Sequence, residues 1–375
     1  MLREVTLESF KCFEHLELPL APLTLLSGTN SGGKSTVIQA LALLAQNFES
    51  REWAHDLLLD GPDLALGTVA DVLNRSGRRM MAIGCASERQ RLKWTFEADD
   101  RASMSVPLAE VAIDGVRVDD LGEGPLRWLL PADLAPESEV VAALRRLSWL
   151  TAERVGPREV LPLLDPERHQ RVGPRGENTA GLLHWFVDET VIDELCIEGE
   201  PSLLFHQVRA HMQRFFTSFD MRVAPVEGVS AITLRLRTDP KNEFHRPQNV
   251  GFGLTQLLPV IVAVLHARRG DVLVIENPEV HLHPRAQQDI GGLLCQAASA
   301  GIQVIVESHS DHVLNGIRLS VKNGAIAAKD VALHFFSPQN GDGGPVSPRI
   351  DEDGRLDAWP SGFFDQFDDA LTKLL

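Results

Sequence analysis

A chain of 375 residues with 44% hydrophobic content is long enough to bury one enlarged core or two lobes, and it has no uninterrupted apolar run long enough to span a bilayer. Its formal net charge of −16 disfavours indiscriminate binding of nucleic acid by the whole surface, though a local basic groove stays compatible with it. Four cysteines, Cys12, Cys85, Cys196 and Cys295, stand far apart without a C-x-x-C pair, which argues against a zinc ribbon or disulfide framework and fits a reducing cytoplasm.

The amino terminus places an acid at Glu4 and leads into strand-like alternation, so it does not read as a secretory signal. Residues 1 to 26 read as paired strands with a turn at Cys12 to His15, and Leu23 to Leu26 as a short buried strand. Gly28-Thr29-Asn30-Ser31-Gly32-Gly33-Lys34-Ser35-Thr36 then fits the phosphate-loop pattern G-x-x-x-x-G-K-[ST], and Val37 to Ala45 reads as an apolar-faced helix behind it. Glycines let such a loop curl until several N–H groups face one phosphate, and the helix adds its positive end. Asn30, Ser31, Gly32, Gly33, Lys34, Ser35 and Thr36 are therefore the expected contacts to a nucleoside triphosphate. Lys34 is expected to neutralise the β and γ phosphates, and the Ser35 hydroxyl to complete the shell of Mg²⁺.

Asn47 to Asp60 reads as a loop with a short helix. Leu57-Leu58-Leu59-Asp60 superficially resembles a strand ending in a metal-binding acid, but Gly61-Pro62-Asp63 follows at once. Met80 to Cys85, Leu92 to Phe96 and Val111 to Val118 predict an antiparallel meander with one solvated face. From Pro136 to Leu150 the spacing becomes helical, with Val140, Val141, Leu144 and Leu147 on one side. A proline- and arginine-rich stretch, Gly156 to Gly176, reads as ordered loop. Arg154, Arg158 and Arg175 carry two readings, salt bridges in an acidic protein or contacts to nucleotide, a partner or a DNA backbone. Helices are predicted over 179 to 197 and 201 to 216, and strands over 221 to 226 and 230 to 237, before the polar segment Thr238 to Pro247.

The last third reads as helix (251 to 265), strand (271 to 275), helix (284 to 300), strand (302 to 306) and helix from Asp311. Glu276 and Glu307-Ser308-His309-Ser310 fall just past the strands, where α/β sheets bind ligands. Glu276 is the acid chosen to hold Mg²⁺, directly or through water. His281, His283, His309 and His312 could with Glu276 make a transition-metal site. H-x-H and H-x-x-H spacings are weak signals, and the phosphate loop explains His309 more economically as a γ-phosphate sensor.

The long separation of Lys34 from Glu276 requires a large insertion within one nucleotide-binding unit, and here the chain resembles the ABC-type ATPases of the SMC, RecF and OLD group. Asn249-Val250-Gly251-Phe252-Gly253-Leu254-Thr255-Gln256 looks like the signature motif of that group. Glu276-Asn277-Pro278-Glu279-Val280-His281-Leu282-His283-Pro284 looks like its acidic strand end and D-loop, and His309 matches its switch histidine. Thr151 to Arg158 and the tail Trp359 to Gln366 are similar to compact OLD-like ATPases without a fused nuclease, many of them from anti-phage defence loci.

The resemblance implies an α/β fold, an ABC-type P-loop ATPase head with mixed sheets flanked by helices and a middle insertion. Its parts would be an N-terminal lobe (1–78), a middle region (79–247) and a C-terminal lobe (248–375). It also implies an ATP-sandwich dimer, in which Gly251, Gly253 and Gln256 of one subunit approach the nucleotide held by Lys34 of the other. Water would attack the γ-phosphate in line, supported by Lys34, Mg²⁺ held through Ser35 and Glu276, and His309.

Two departures stand out. Gly251 replaces a serine, and Asn277 replaces the second acid, which orients water but accepts no proton at neutral pH. Slow hydrolysis, or activation by a partner, is the expectation. Glu279 is a candidate for the missing carboxylate, with D-loop geometry as its alternative purpose. The implied output is a conformational signal to a separate effector such as a nuclease or toxin. The competing readings are a DNA-embracing repair clamp and a non-hydrolysing ATP-dependent scaffold.

Overall fold

The structure is a computed structural model that describes residues 1–76, 78–118, 121, 124–337 and 344–360. In chain order, β1 (Glu4–Phe10), β2 (Phe13–Pro19) and β3 (Leu23–Gly28) lead into α1 (Lys34–Ser50), followed by β4 (Asp56–Leu58) and α2 (Val69–Val72). Next come β5 (Met80–Ala86), β6 (Arg91–Glu97), β7 (Ser105–Ile113), β8 (Val116–Arg117) and the small ribbon β9 (Leu126–Arg127) with β10 (Leu130–Pro131). The middle holds α3 (Glu139–Arg145), β11 (Leu147–Leu150), β12 (Val160–Pro162), α4 (Thr179–Trp185), α5 (Leu204–Phe215), β13 (Asp220–Pro225) and β14 (Ala231–Arg237). The last third is α6 (Phe252–His266), β15 (Val272–Glu276), α7 (Pro284–Ser299), β16 (Gln303–Glu307), α8 (Asp311–Lys322) and β17 (Val331–Phe336).

Two sheets set the architecture. One is antiparallel, in the order β2-β1-β5-β6-β7-β4 with β8 appended to β7; the other is fully parallel, in the order β11-β15-β16-β3-β17. β12, β14 and β13 form a third, antiparallel sheet. In β1 and β6 apolar and polar side chains alternate, so that Val5, Leu7, Leu92, Trp94 and Phe96 are buried, while Glu4 pairs with Arg91 and Glu8 with Lys93 across the solvated face.

The runs Val272–Ile275 and Val304–Val306 of the parallel sheet are uninterruptedly apolar because both faces are covered. Val272 and Val274 join Leu26 and Ile305 in a core shared with α1, α3 and the antiparallel sheet, whereas Leu273 and Ile275 join Leu23, Leu25, Val304 and Val306 in a core shared with α4 to α8. Helix α1 is thus held between the two sheets, and the loop before it stands at the carboxyl ends of the parallel strands.

Several predicted elements differ from the observed ones. The helix expected from Pro136 to Leu150 is only α3: Ser138 caps it by accepting the Val141 N–H, and Leu147–Leu150 is an edge strand paired in parallel with β15. The apolar spacing of Val140, Val141 and Leu144 runs on to Leu147 by coincidence, and pairing with Val272–Ile275 overrides it. The helix expected over 179 to 197 stops at Trp185, since the β-branched run Thr190-Val191-Ile192 disfavours a helix and Thr190 bridges to Leu203 instead. The segment Val111 to Val118 is broken by a tight turn with Asp114 at φ 53° and Gly115 at φ 81°. Helix α1 runs through to Ser50, and Asp60 lies beyond an edge strand of the antiparallel sheet, bridged to Ala65, away from the parallel sheet's ligand end. β17 was not anticipated. Of the expected tail similarity, residues 361 to 366 lie outside the described residues. No helix among the described residues is long and apolar enough to cross a membrane.

Candidate functional site

The loop between β3 and α1 curls because three of its residues take left-handed backbone: Gly28 (φ 133°), Ser31 (φ 64°) and Gly33 (φ 106°). A Cβ at Gly28 would lie 2.0 Å from the Phe336 carbonyl oxygen, and one at Gly33 would lie 2.4 Å from the Phe13 ring. Glycine is therefore required at both places by the chain's own packing. Among the described residues no backbone acceptor takes the N–H groups of Ser31, Gly33, Lys34 or Ser35. Unpaired donors at the head of a seventeen-residue helix form an anion site by construction.

The cavity here, about 250 Å³, is lined by residues 31–36 together with Lys11, Cys12 and Gln39. The Lys11 ammonium donates to Gln39 Oε1 at 2.6 Å, and Cys12 Sγ lies 3.4 Å from Thr36 Oγ1. Neither Lys11 nor Cys12 was read from the sequence as a site residue; Cys12 was placed in a turn. Asn30 is exposed at the tip of the loop.

Lys34 is buried and folds back along the loop, donating to the carbonyls of Gly28 (3.1 Å) and Thr29 (2.9 Å). Its Nζ also lies 3.7 Å from Glu307 Oε1, and Ser35 Oγ lies 3.4 Å from Glu307 Oε2. Burial pushes the Lys34 ammonium below its ordinary value, opposed by Glu307. Burial likewise pushes the Glu307 carboxyl up, opposed by Lys34 and reinforced by Glu276. His309 stands beside them, its Nε2 3.8 Å from Glu307 Oε1 and its N–H donated to Glu279 Oε1 at 3.1 Å. Burial and the neighbouring Lys34 lower its pKa, with the Gly28 backbone acting the other way. Lys34, Ser35 and His309 are thus brought together, and the acid among them is Glu307. Its sequence signal was present, an acid closing an apolar strand directly ahead of Ser308 and His309.

Glu276 lies one strand further out, register partner of Glu307 in the β15–β16 pair. Its carboxylate is engaged elsewhere, accepting from Trp149 Nε1 at 3.0 Å and from the Ala152 N–H at 3.2 Å. Asn277 follows in left-handed backbone at φ 43° and donates its N–H to the Glu307 carbonyl at 2.8 Å. Asparagine tolerates that region better than glutamate does, a local physical reason for finding it at this turn. Glu279 is 7% exposed and accepts the His309 N–H, and among the described residues its Oε2 has no hydrogen-bond partner.

Arg154 is buried, and its Nη2 donates to the carbonyls of both Glu276 and Asn277. Burial lowers its pKa to about 10 against the opposing charges of Glu279 and Glu276. Arg158 and Arg175 are exposed, the latter 3.3 Å from Glu153. The three arginines therefore have separate surroundings, and Arg154 is a clamp on the acidic strand end. Trp149 escaped the sequence reading because its strand was read as helix, whereas Arg154 was singled out without its partners.

The signature-like segment does not line the phosphate-loop cavity. It lies against the turn after β15, where Phe252, 44% exposed, meets the His281 ring edge-on at 4.7 Å. A Cβ at Gly253 would fall 2.5 Å from the His281 carbonyl oxygen, so that glycine serves internal packing, whereas a Cβ at Gly251 would meet nothing within 4 Å. Gln256 is buried within α6 and does not face outward. Among the described residues no three His, Cys, Asp or Glu side chains converge as a metal cage, so His281, His283, His309 and His312 do not assemble one. The donors that do meet are a hydroxyl and a carboxylate, Ser35 and Glu307, and hard oxygen donors suit Mg²⁺, which keeps several waters and needs few protein ligands.

Comparison with known proteins agrees with this geometry. A family model described as "AAA domain, putative AbiEii toxin, Type IV TA system" matches residues 23–315, and one for a protein of unknown function, DUF3696, matches residues 326–374. An OLD nuclease from Thermus scotoductus is 41% identical over 44 residues, which is 12% of this chain and 8% of that protein. Among solved structures, an Smc head bound to the C-winged helix domain of ScpA has a TM-score of 0.57 at 12% identity, covering 94% of this chain and 98% of its own. An Smc head with extended coiled coil, bound to the C-terminal domain of ScpA from Pyrococcus furiosus, has a TM-score of 0.50 at 9% identity, covering 100% and 99%. With its phosphate loop, parallel sheet and strand-end acids in these relative places, the chain belongs to that AAA-domain family and shares the fold of an Smc head.

Proposed function

We propose that the protein binds and slowly hydrolyses Mg-ATP, dimerises around the nucleotide, and uses the two states to regulate a separate effector in anti-phage defence. The observation that carries this reading is the convergence of unpaired loop amides, Lys34, Ser35 and His309 at one end of the parallel sheet. Lys34 would exchange its loop carbonyls for phosphate oxygens, and the amides of Ser31, Gly33 and Lys34 would cradle them. Ser35, with a strand-end carboxylate, would hold Mg²⁺, whose charge offsets that of the phosphates. His309 would contact the γ-phosphate from above the loop.

Gly251 supports the dimer reading. It caps a fifteen-residue helix, faces open space, and leaves that helix start accessible to a phosphate on a second copy. Asn277 lacks a basic oxygen able to take the water's proton, which favours slow turnover or help from a partner. The excess of acidic residues is a poor match to a DNA-embracing clamp.

The reading is tested by equilibrium binding of a fluorescent ATP analogue, with light-scattering mass determination in the presence of a non-hydrolysable ATP. Wild type is expected to bind and to double in mass, and Lys34→Ala to do neither. Unchanged binding and assembly by Lys34→Ala would sink it.

A further inference from the structure

Two carboxylates end neighbouring strands at this site, and their surroundings divide the work between them. Glu276 already has two donors, Trp149 Nε1 and the Ala152 N–H, and both belong to the segment that begins with β11. Its carboxylate therefore ties the edge strand and the turn after it to the acidic strand end. Among the described residues Glu307 has no such structural partners. Its neighbours are the two phosphate-loop side chains that meet nucleotide and metal, Lys34 at 3.7 Å and Ser35 at 3.4 Å, together with the His309 ring at 3.8 Å.

The Glu307 backbone cannot drift. Its carbonyl accepts the Asn277 N–H at 2.8 Å, and the next amide, Ser308, donates to Leu26 at 3.1 Å, so β16 is held from both sides at its last residue. Glu307 is 6% exposed, so its charge acts on Lys34 and Ser35 with little screening by solvent.

We infer that Glu307 is the carboxylate of the phosphate site: the counter-ion of Lys34 in nucleotide-free protein, and the oxygen donor on the Ser35 side when Mg-ATP is bound. Glu276 is then a positioning residue. This rests on the reading of the loop as a nucleotide site. Two consequences follow from charge alone. Metal-free ATP must compete with Glu307 for Lys34 and meet its negative charge, so it binds poorly. Mg²⁺ placed between carboxylate and phosphates turns that repulsion into attraction, so Glu307 makes nucleotide binding depend on the metal.

The test is the affinity for a fluorescent, non-hydrolysable ATP analogue measured in EDTA and in Mg²⁺, with Mn²⁺ binding followed by electron paramagnetic resonance in the presence of the analogue. Glu307→Gln is expected to bind metal-free nucleotide more tightly and Mg-nucleotide more weakly. The affinity gain from Mg²⁺ should shrink by roughly tenfold or more, equivalent to ~1.4 kcal/mol. Glu307→Asp, which keeps the charge on a shorter arm, should fall between Gln and wild type, and it guards against misreading a folding defect. Glu276→Gln is expected to lower the melting temperature while keeping most of the metal dependence. Wild-type metal dependence in Glu307→Gln, or its loss in Glu276→Gln alone, overturns the assignment while leaving the nucleotide site standing. Absence of any nucleotide binding by the wild type would overturn both.

Discussion

Replacing Arg154 by methionine keeps much of the side chain's volume and removes its charge and its donors. In the folded protein Arg154 is 5% exposed and bonds to two carbonyls, those of Glu276 and Asn277, at the turn where Asn277 holds φ 43°. It is also the cation whose field opposes the burial of Glu279, which is itself 7% exposed. Among the described residues Arg154 Nε and Nη1 have no hydrogen-bond partner, and Glu279 keeps the His309 N–H as a donor. Leaving the acceptors of such bonds unpaired costs about 1 to 3 kcal/mol each, and losing the field of Arg154 adds to the burial penalty of Glu279. Arg154→Met is expected to lose stability on that scale in urea unfolding followed by circular dichroism.

The loss should depend on pH in a stated direction. The Glu279 carboxyl is already raised above its ordinary value of 4.5 by burial, and removing Arg154 raises it further. A carboxyl raised in the folded state binds protons more readily than in the unfolded one, so stability falls as pH climbs above 4.5. The penalty of Arg154→Met should therefore be smaller near the acid end of that window than at pH 8. Adding Glu279→Gln should return more than ~1 kcal/mol, because the uncompensated charge is gone. A single variant within ~0.5 kcal/mol of wild type at both pH values would refute the clamp.

Gly253→Ala places a methyl group 2.5 Å from the His281 carbonyl oxygen and is expected to lower stability by about 1 to 3 kcal/mol. Gly251→Ala meets nothing within 4 Å and should melt like wild type while failing to assemble with ATP; a normal ATP-dependent dimer would count against Gly251 as the contact glycine. His334, buried in β17, bonds to the Pro19 carbonyl and to Ser347 Oγ, and its pKa falls from 6.5 to about 4. A histidine depressed in this way supports the fold fully above pH 6.5 and loses that support as pH falls toward 4, on the order of 3 kcal/mol in total. His334→Gln should flatten the pH dependence of the melting temperature across that window, and an unchanged slope would show that other groups set it.

The local signals in this chain were strong wherever chemistry needs a fixed residue type. The phosphate loop could be read from Gly28 to Thr36 because only glycine survives beside Phe336 and Phe13, and because Lys34 and Ser35 open a helix. The uninterrupted apolar runs at Val272–Ile275 and Val304–Val306 announced parallel strands, since both of their faces are buried. Those features, with the acid and histidine at the strand ends, were enough for the fold class.

What the sequence could not decide was direction and distance. Glu276 and Glu307 look alike as acids closing apolar strands, and which one meets Lys34 depends on β16 lying next to β3 with β15 one place further out. The identity of Leu147–Leu150 as a strand likewise came from its partner, Val272–Ile275, rather than from its own spacing. Arg154 looked like any arginine of a polar loop until the fold buried it against two carbonyls. The sequence alone determined that the chain carries a phosphate-binding loop in an α/β frame, because those constraints act between neighbouring residues. Only the tertiary structure decided which carboxylate faces the loop, because side chains far apart in sequence compete for a charge through strand order.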